Sequence, residues 1–144
     1  MISRKEKKEN EMKNVFAVSI TRLYEAFVAE KGRNPSVDEI YDMARWAWRS
    51  SKAGSCQLVF ACAKGTVKGV FEVQEWFFCG EAGRRPELRP DEPEGSRRYH
   101  EIAKDIEEDQ RIAFVGKVAD CANQFIGKKA PRLCGPIGYT MVNC

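Results

Sequence analysis

Cysteine and histidine are the residues of this chain that could support covalent or metal chemistry. His100 is the single histidine, and the six cysteines lie at positions 56, 62, 79, 121, 134 and 144. Structural zinc sites use Cys or His pairs two to four residues apart, and no such pair occurs here. A cysteine nucleophile needs a basic partner, and His100 lies in the most polar stretch of the chain. We therefore predict no metal, no cofactor and no thiol catalysis, and we expect reduced cysteines that act as small core residues.

Motifs for phosphate transfer and for acid-base catalysis are missing from the sequence. Gly116-Lys117 and Gly127-Lys128 lack the earlier glycine and the following Ser or Thr of a phosphate-binding loop. Glu72 and Glu75 are three residues apart in a strand-like stretch, so their side chains should point to opposite faces. These observations predict a protein that is not an enzyme.

The charge distribution is uneven along the chain. The 144 residues include 24 Lys and Arg against 21 Asp and Glu, a formal net charge of +3. Two segments are more basic: residues 31–68 and residues 111–132 each have a net charge of +4, and residues 81–109 between them are acidic overall. If the two basic segments fold onto one face, they would attract a polyanion in a salt-dependent manner. Solvated surface lysines are the alternative interpretation.

The first half of the chain predicts helices. Residues 1–13 form a charged tail, and residues 15–20 favour a strand, although a helical spacing is also present. A helix should follow from Arg22 to Lys31, capped by Thr21 and ended by Gly32. The next helix begins at Ser36, which with Glu39 has the spacing of a capping box.

The apolar stripe of this second helix extends to Trp48 in the prediction, so Trp48 should lie in the core. Trp46 lies on another side of the predicted helix, beside a polar stripe that includes Arg49 and Lys52. An exposed indole next to basic residues could stack on a nucleobase, and packing on a neighbouring loop is the alternative.

The second half of the chain predicts strands. Gln57–Ala63 and Thr66–Val73 flank Lys64-Gly65, which is typical of a hairpin. The cluster from Trp76 to Phe78 should close the core or line a pocket. Residues 79–109 contain three of the six prolines and predict a long polar insert. Strands should follow at Arg111–Ala119 and Gly138–Asn143, which gives an α+β domain with five or six strands in a small mixed barrel.

The order of these pieces resembles the PUA-like superfamily, and within it the small EVE-like or ASCH-like barrel domains. The resemblance covers residues 14–144 and rests on an initial strand followed by ARWAWR (44–49), LVFACAKGTVKGVFEVQEW (58–76), FVGK (114–117), FIGK (125–128) and the closing GYTMVNC. The polar insert at 79–109 departs from the family pattern. The resemblance implies a PUA-like mixed β-barrel with N-terminal helices packed against it, in a single domain of residues 14–144.

The resemblance also implies a cleft between a helix and the barrel opening that binds RNA or modified bases. In such a cleft Trp46 or Trp76 would stack on a base, and Asn123 or Gln124 would form hydrogen bonds with the base edge. The phosphates would be bound by basic side chains, namely Arg49, Lys52, Arg111, Lys117 and Lys128.

The function expected from the sequence is a non-catalytic nucleic-acid or modified-nucleotide binding module whose partner is RNA or modified DNA. The alternative is a protein-interaction or small-molecule-binding module of the same fold, in which Trp76 to Phe78 contact the partner. We also consider a homodimer. Because the N-terminal segment has no secretory apolar core and no apolar run approaches the roughly 20 residues of a membrane span, we predict a cytoplasmic protein.

Overall fold

Six strands in one mixed sheet organise this α+β protein. A computed structural model describes residues 11–48, 52–78 and 112–144. The strands are β1 (Met12–Ser19), β2 (Trp46–Trp48), β3 (Leu58–Ala63), β4 (Thr66–Phe78), β5 (Ile112–Val118) and β6 (Ile137–Asn143). Their spatial order is β2-β5-β4-β3-β1-β6. The predicted α+β class and the predicted strand number are confirmed.

The sheet is open in the described residues. β1 and β3 are parallel, and the other neighbouring strands are antiparallel. β2 and β6 lie at opposite ends of the strand order, and no pairing joins them within the described ranges. A barrel requires the first and last strands of the sheet to pair. These six strands therefore do not form the predicted barrel.

The first strand and helix are arranged largely as predicted. β1 begins at Met12, so the last two residues of the predicted tail belong to the sheet. Helix α1 (Thr21–Lys31) follows, and Gly32 ends it with a positive φ of 69°. The prediction of Thr21 as the helix cap is wrong. Its hydroxyl instead accepts hydrogen bonds from the Ser19 hydroxyl and from the Lys64 backbone N–H.

Helix α2 (Val37–Ala44) has the predicted capping box but ends earlier than predicted. The Ser36 hydroxyl accepts from the Glu39 N–H, and the Glu39 carboxylate accepts from the Ser36 N–H at 2.8 Å. The prediction that Trp46 and Trp48 are helical is wrong, because both residues pair with β5 in strand β2. Sheet hydrogen bonds therefore override the helical spacing of the apolar residues.

Trp48 is nevertheless buried as predicted, and its indole N–H donates to the Ala44 carbonyl. The hairpin is also confirmed, because Lys64 and Gly65 both have positive φ angles, 53° and 79°, as a type I′ turn requires. β4 continues past the predicted Val73 to Phe78, with a break in register between Val73 and Glu75.

Apolar side chains cover both faces of the central strands. On one face Phe16, Phe71 and Phe114 form a core with residues of α1 and α2. On the other face Val15, Leu58 and Phe60 pack beneath helix α3 (Ala122–Phe125) and the residues that follow it. Alternate residues of β1 and β3 contribute to the two cores, which explains why residues 15–18 of β1 and all of β3 are apolar without interruption.

The prediction that all the cysteines are reduced is wrong. Cys121 and Cys144 form a disulfide, with their Cα atoms 5.6 Å apart. The two cysteines are 23 residues apart, so their spacing in the sequence does not predict the bond. The pairing of β6 with β1 brings Cys144 close to Cys121, the residue before α3. Cys56 and Cys62 are buried thiols, as predicted for small core residues, and Cys134 is exposed. Cys79, His100 and the insert at 79–109 lie outside the described residues.

No helix in the described ranges has the length and apolar character needed to cross a membrane.

Candidate functional site

A cavity of about 470 Å³ lies at the end of the sheet where β1 and β3 finish. One wall is formed by the hairpin turn Lys64-Gly65 together with Ser19, Thr21 and Cys62. The facing wall is the segment 129–133, which includes Lys129 and Arg132. We call this space the cationic cavity.

Backbone hydrogen bonds hold the two walls together. The Val67 N–H donates to the Lys128 carbonyl at 2.9 Å, and the Gly127 N–H donates to the Val67 carbonyl at 2.8 Å. The Ala130 N–H donates to the Gly65 carbonyl at 2.9 Å. The segment after α3 is therefore attached along the start of β4, which fixes the backbone that carries Lys129 and Arg132.

The electrostatics of the cationic cavity favour an anion. Lys64, Lys129 and Arg132 line it, and none of its lining residues is acidic. Thr21, the first residue of α1, also lines it, and the first turn of α1 contains no acidic residue. The positive end of the helix dipole therefore adds to the three side-chain charges.

Cys62 supplies no opposing charge to the cationic cavity. Burial raises the pKa of this thiol from 9.0 to about 12, so it is neutral at physiological pH. A neutral thiol is a weak nucleophile.

The two basic segments of the sequence meet at this cavity. Lys64 belongs to the segment 31–68, and Lys129 and Arg132 belong to the segment 111–132. The cavity lining contains no aromatic side chain, so the ring expected beside the cations is not found there. Sequence reasoning missed these three cations individually, although the charge of the two segments indicated them collectively.

The residues proposed from the sequence as a nucleic-acid site lie in several places. Lys128 immediately precedes the cavity-lining Lys129, and its carbonyl accepts from the Val67 N–H. Asn123 and Gln124 are exposed on α3. Lys117 is exposed on β5, where its register partner is Glu72 of β4. The structure thus places Lys128 beside the cationic cavity, whereas Lys117 is not among its lining residues.

Trp76 packs against the core that Phe16, Phe71 and Phe114 form with residues of α1 and α2. Its ring centroid lies 5.8 Å from that of Phe16 and 5.5 Å from that of Phe114. Its indole N–H donates to the Cys56 carbonyl at 2.9 Å. The Trp46 side chain, Arg49 and Arg111 lie outside the described part of the structure.

Lys52 lies beside a second concave surface rather than at the cationic cavity. This hollow of about 350 Å³ is lined by Asn14, Val15, Lys52, Ser55, Cys56, Tyr139, Thr140 and Met141. We call it the Tyr139 hollow. The Lys52 ammonium nitrogen lies 5.8 Å from the centroid of the Tyr139 ring. Nothing in the sequence indicates a role for Tyr139 beyond its place in the last predicted strand.

Metal-binding geometry is absent from the described residues, in which no three His, Cys, Asp or Glu side chains form a group that could hold an ion. Comparison with known proteins finds no matching family model, no matching curated protein and no matching solved structure.

Proposed function

We propose that this protein is a non-catalytic module that binds nucleic acid, with the phosphates held in the cationic cavity. The observation that carries the proposal is the convergence of Lys64, Lys129 and Arg132, from two separate basic segments, on one cavity without an acidic lining residue. Charge-assisted hydrogen bonds from Lys and Arg to phosphate are short and strong, and an arginine can bind two phosphate oxygens at once.

The size and shape of the cavity support a ligand larger than a free phosphate ion. Its volume of about 470 Å³ lies in the range of sites that enclose organic molecules. A phosphodiester with its sugar would fill more of this space than inorganic phosphate. The Thr21 hydroxyl accepts from Ser19 and from the Lys64 N–H, and its own proton can be donated to a phosphate or sugar oxygen.

The PUA-like assignment and the cytoplasmic location are part of the proposal, and the Cys121–Cys144 disulfide, which a reducing compartment disfavours, is the observation that opposes this location. A mixed sheet with the N-terminal helices α1 and α2 packed on one face supports the resemblance in the sequence. A closed barrel would require further pairing from residues outside the described ranges. The nucleic-acid proposal therefore rests on the cationic cavity and would stand without the family assignment.

The contacts of Trp76 and Phe77, the two side chains of the aromatic cluster 76–78 that the structure describes, favour nucleic-acid binding over the alternative of a protein-interaction surface at this cluster. Phe77 is buried, and Trp76 is fixed by its hydrogen bond to Cys56 and by two ring contacts. These side chains stabilise the core and offer little apolar surface to a partner.

The test is a binding titration with labelled single-stranded RNA and DNA of about 12 nucleotides, followed by fluorescence anisotropy at low salt. We expect the double variant Lys129→Gln/Arg132→Gln to bind about tenfold more weakly than the wild type. The matched control is Lys31→Gln/Lys117→Gln, which removes the same total charge from exposed positions outside the cavity lining.

Equal weakening in the two double variants would show that binding follows net charge and not the cationic cavity. Absence of binding by the wild type to either nucleic acid at low salt would overturn the proposed function. Circular dichroism of each variant checks that the sheet remains folded.

A further inference from the structure

We propose that the Tyr139 hollow is a nucleobase site, so that the nucleic acid bound by this protein is single-stranded. This inference rests on the proposed function and adds a second subsite to it. The hollow contains an exposed aromatic ring, a cation near that ring and polar side chains around it. These are the groups that a flat base attached to a phosphate requires.

The Tyr139 ring is held in place by the core beneath it. Tyr139 of β6 is the register partner of Phe16 of β1, and their ring centroids lie 5.6 Å apart with an interplanar angle of 36°. Phe16 is fully buried and contacts the rings of Trp48 and Trp76. The Tyr139 side chain is 40% exposed. A ring that is anchored on one side and accessible on another can stack on a base at low cost in conformational entropy.

Lys52 places a positive charge over this ring, so a base that stacks there displaces the ammonium group toward the phosphate of that base. The backbone that carries Lys52 is fixed, because its carbonyl accepts from both the N–H and the hydroxyl of Ser55. From this position the ammonium group can reach a phosphate attached to a stacked base. This agrees with the role in phosphate binding that the sequence predicted for Lys52, and it gives Tyr139 the stacking role predicted for a tryptophan.

The remaining lining residues can read or cover a base. Asn14 has a side chain that donates and accepts hydrogen bonds, as the edge of a base requires, and it lies on the same face of β1 as Phe16. Met141 is 57% exposed, and its flexible thioether can pack against an aromatic ring. The volume of about 350 Å³ suits a single base with its sugar better than a base pair.

The inference of a single strand follows from stacking. In a duplex the two faces of a base are covered by neighbouring base pairs, so a protein ring can reach only an unpaired or terminal base. Asn14 in the hollow and Ser19 at the cationic cavity lie on the same strand, β1, five residues apart. A strand rises about 3.4 Å per residue, so the two sites are roughly 17 Å apart along β1. The side chains of Asn14 and Ser19 point to opposite faces of the sheet, so a flexible single strand that contacts both sites passes around the edge strand β6.

The experiment uses the full chain and single-stranded oligonucleotides that contain 2-aminopurine, whose fluorescence reports stacking directly. We compare the wild type with Tyr139→Phe, which keeps the ring, and with Tyr139→Leu, which keeps apolar bulk without the ring. We expect Tyr139→Phe to bind like the wild type, and Tyr139→Leu to lose about tenfold in affinity together with the fluorescence change. Binding of a duplex of the same length should be weaker than binding of the single strand.

The outcomes separate this inference from the proposed function. If Tyr139→Leu binds the single strand with wild-type affinity and the same fluorescence change, the nucleobase site is overturned. Equal binding of duplex and single strand would overturn it as well. In both cases the proposed function stands as long as Lys129→Gln/Arg132→Gln still weakens binding. Unfolding temperatures of the Tyr139 variants show whether a loss of affinity reflects a loss of folding.

Discussion

The Tyr41 hydroxyl accepts a hydrogen bond from the Gly116 backbone N–H at 3.0 Å, across 75 residues of sequence. This bond joins α2 to β5 beside the break in register between Val73 and Glu75 of β4. A side chain at Gly116 would collide with the Glu72 carbonyl oxygen, so the close approach of β4 and β5 requires glycine. The Tyr41 ring also packs against Phe71 and Phe114, at 5.3 and 5.7 Å between centroids.

We expect Tyr41→Phe to lower the free energy of unfolding by about 1 kcal/mol, because it removes the acceptor and retains the ring contacts. Hydrogen exchange of the Gly116 amide is the specific measurement, since this amide should lose protection more than its neighbours in β5. Unchanged protection at Gly116 would contradict the hydrogen bond.

Local signals in the sequence predicted several elements correctly. Ser36 with Glu39 marks the start of a helix, and Lys64-Gly65 marks a hairpin, because each depends on residues within a few positions. The features that sequence reasoning missed depend on long-range pairing. Trp48 continues the helical spacing of the apolar residues of α2, yet pairing with β5 places both Trp46 and Trp48 in a strand.

The candidate sites were likewise predictable only in the properties that depend on neighbouring residues in the sequence. The sequence shows that the segments 31–68 and 111–132 are basic. It does not show that Lys129 and Arg132 line the cavity, because this depends on the hydrogen bonds of residues 127–130 with the start of β4. Tyr139 could not be identified in advance, because its exposure depends on β6 lying at the end of the strand order.

Glu39 should make the stability of the protein depend on acid pH. Its hydrogen bonds with Arg33, at 2.8 and 3.0 Å, and those with Ser36 hold the pKa of its carboxyl at about 2, below the ordinary 4.5. Because the folded pKa lies below the unfolded pKa, the contribution is complete above about pH 4.5 and is lost as the pH falls toward 2.

We therefore expect Glu39→Gln to lower the free energy of unfolding by about 1 kcal/mol at pH 7, a modest effect because Arg33 is largely exposed. The difference from the wild type should shrink as the pH approaches 2. Urea unfolding of both proteins at pH 7 and at acid pH measures this difference in the free energy of unfolding. A difference that stays constant with pH would mean that the charge of the Glu39 carboxylate does not contribute to stability.

The disulfide between Cys121 and Cys144 should contribute to stability by closing a loop in the unfolded chain. For a separation of 23 residues, the chain-entropy model gives a loss of about 3 kcal/mol when the bond is removed. We expect Cys144→Ser, or the wild type with a reductant, to unfold at lower urea concentration. The control is Cys134→Ser, which alters an exposed free thiol and should change stability little. Equal unfolding of the wild type with and without reductant would argue against the bond.

The salt dependence of single-strand binding is the most direct test of the claim that the cationic cavity holds phosphates. For single strands the slope of log affinity against log salt is about −0.7 for each phosphate contacted. Lys129→Gln/Arg132→Gln should therefore reduce the steepness of the slope by about 1.4, and Lys31→Gln/Lys117→Gln should leave it close to that of the wild type. A slope in the cavity variant as steep as in the wild type would contradict the proposed phosphate site.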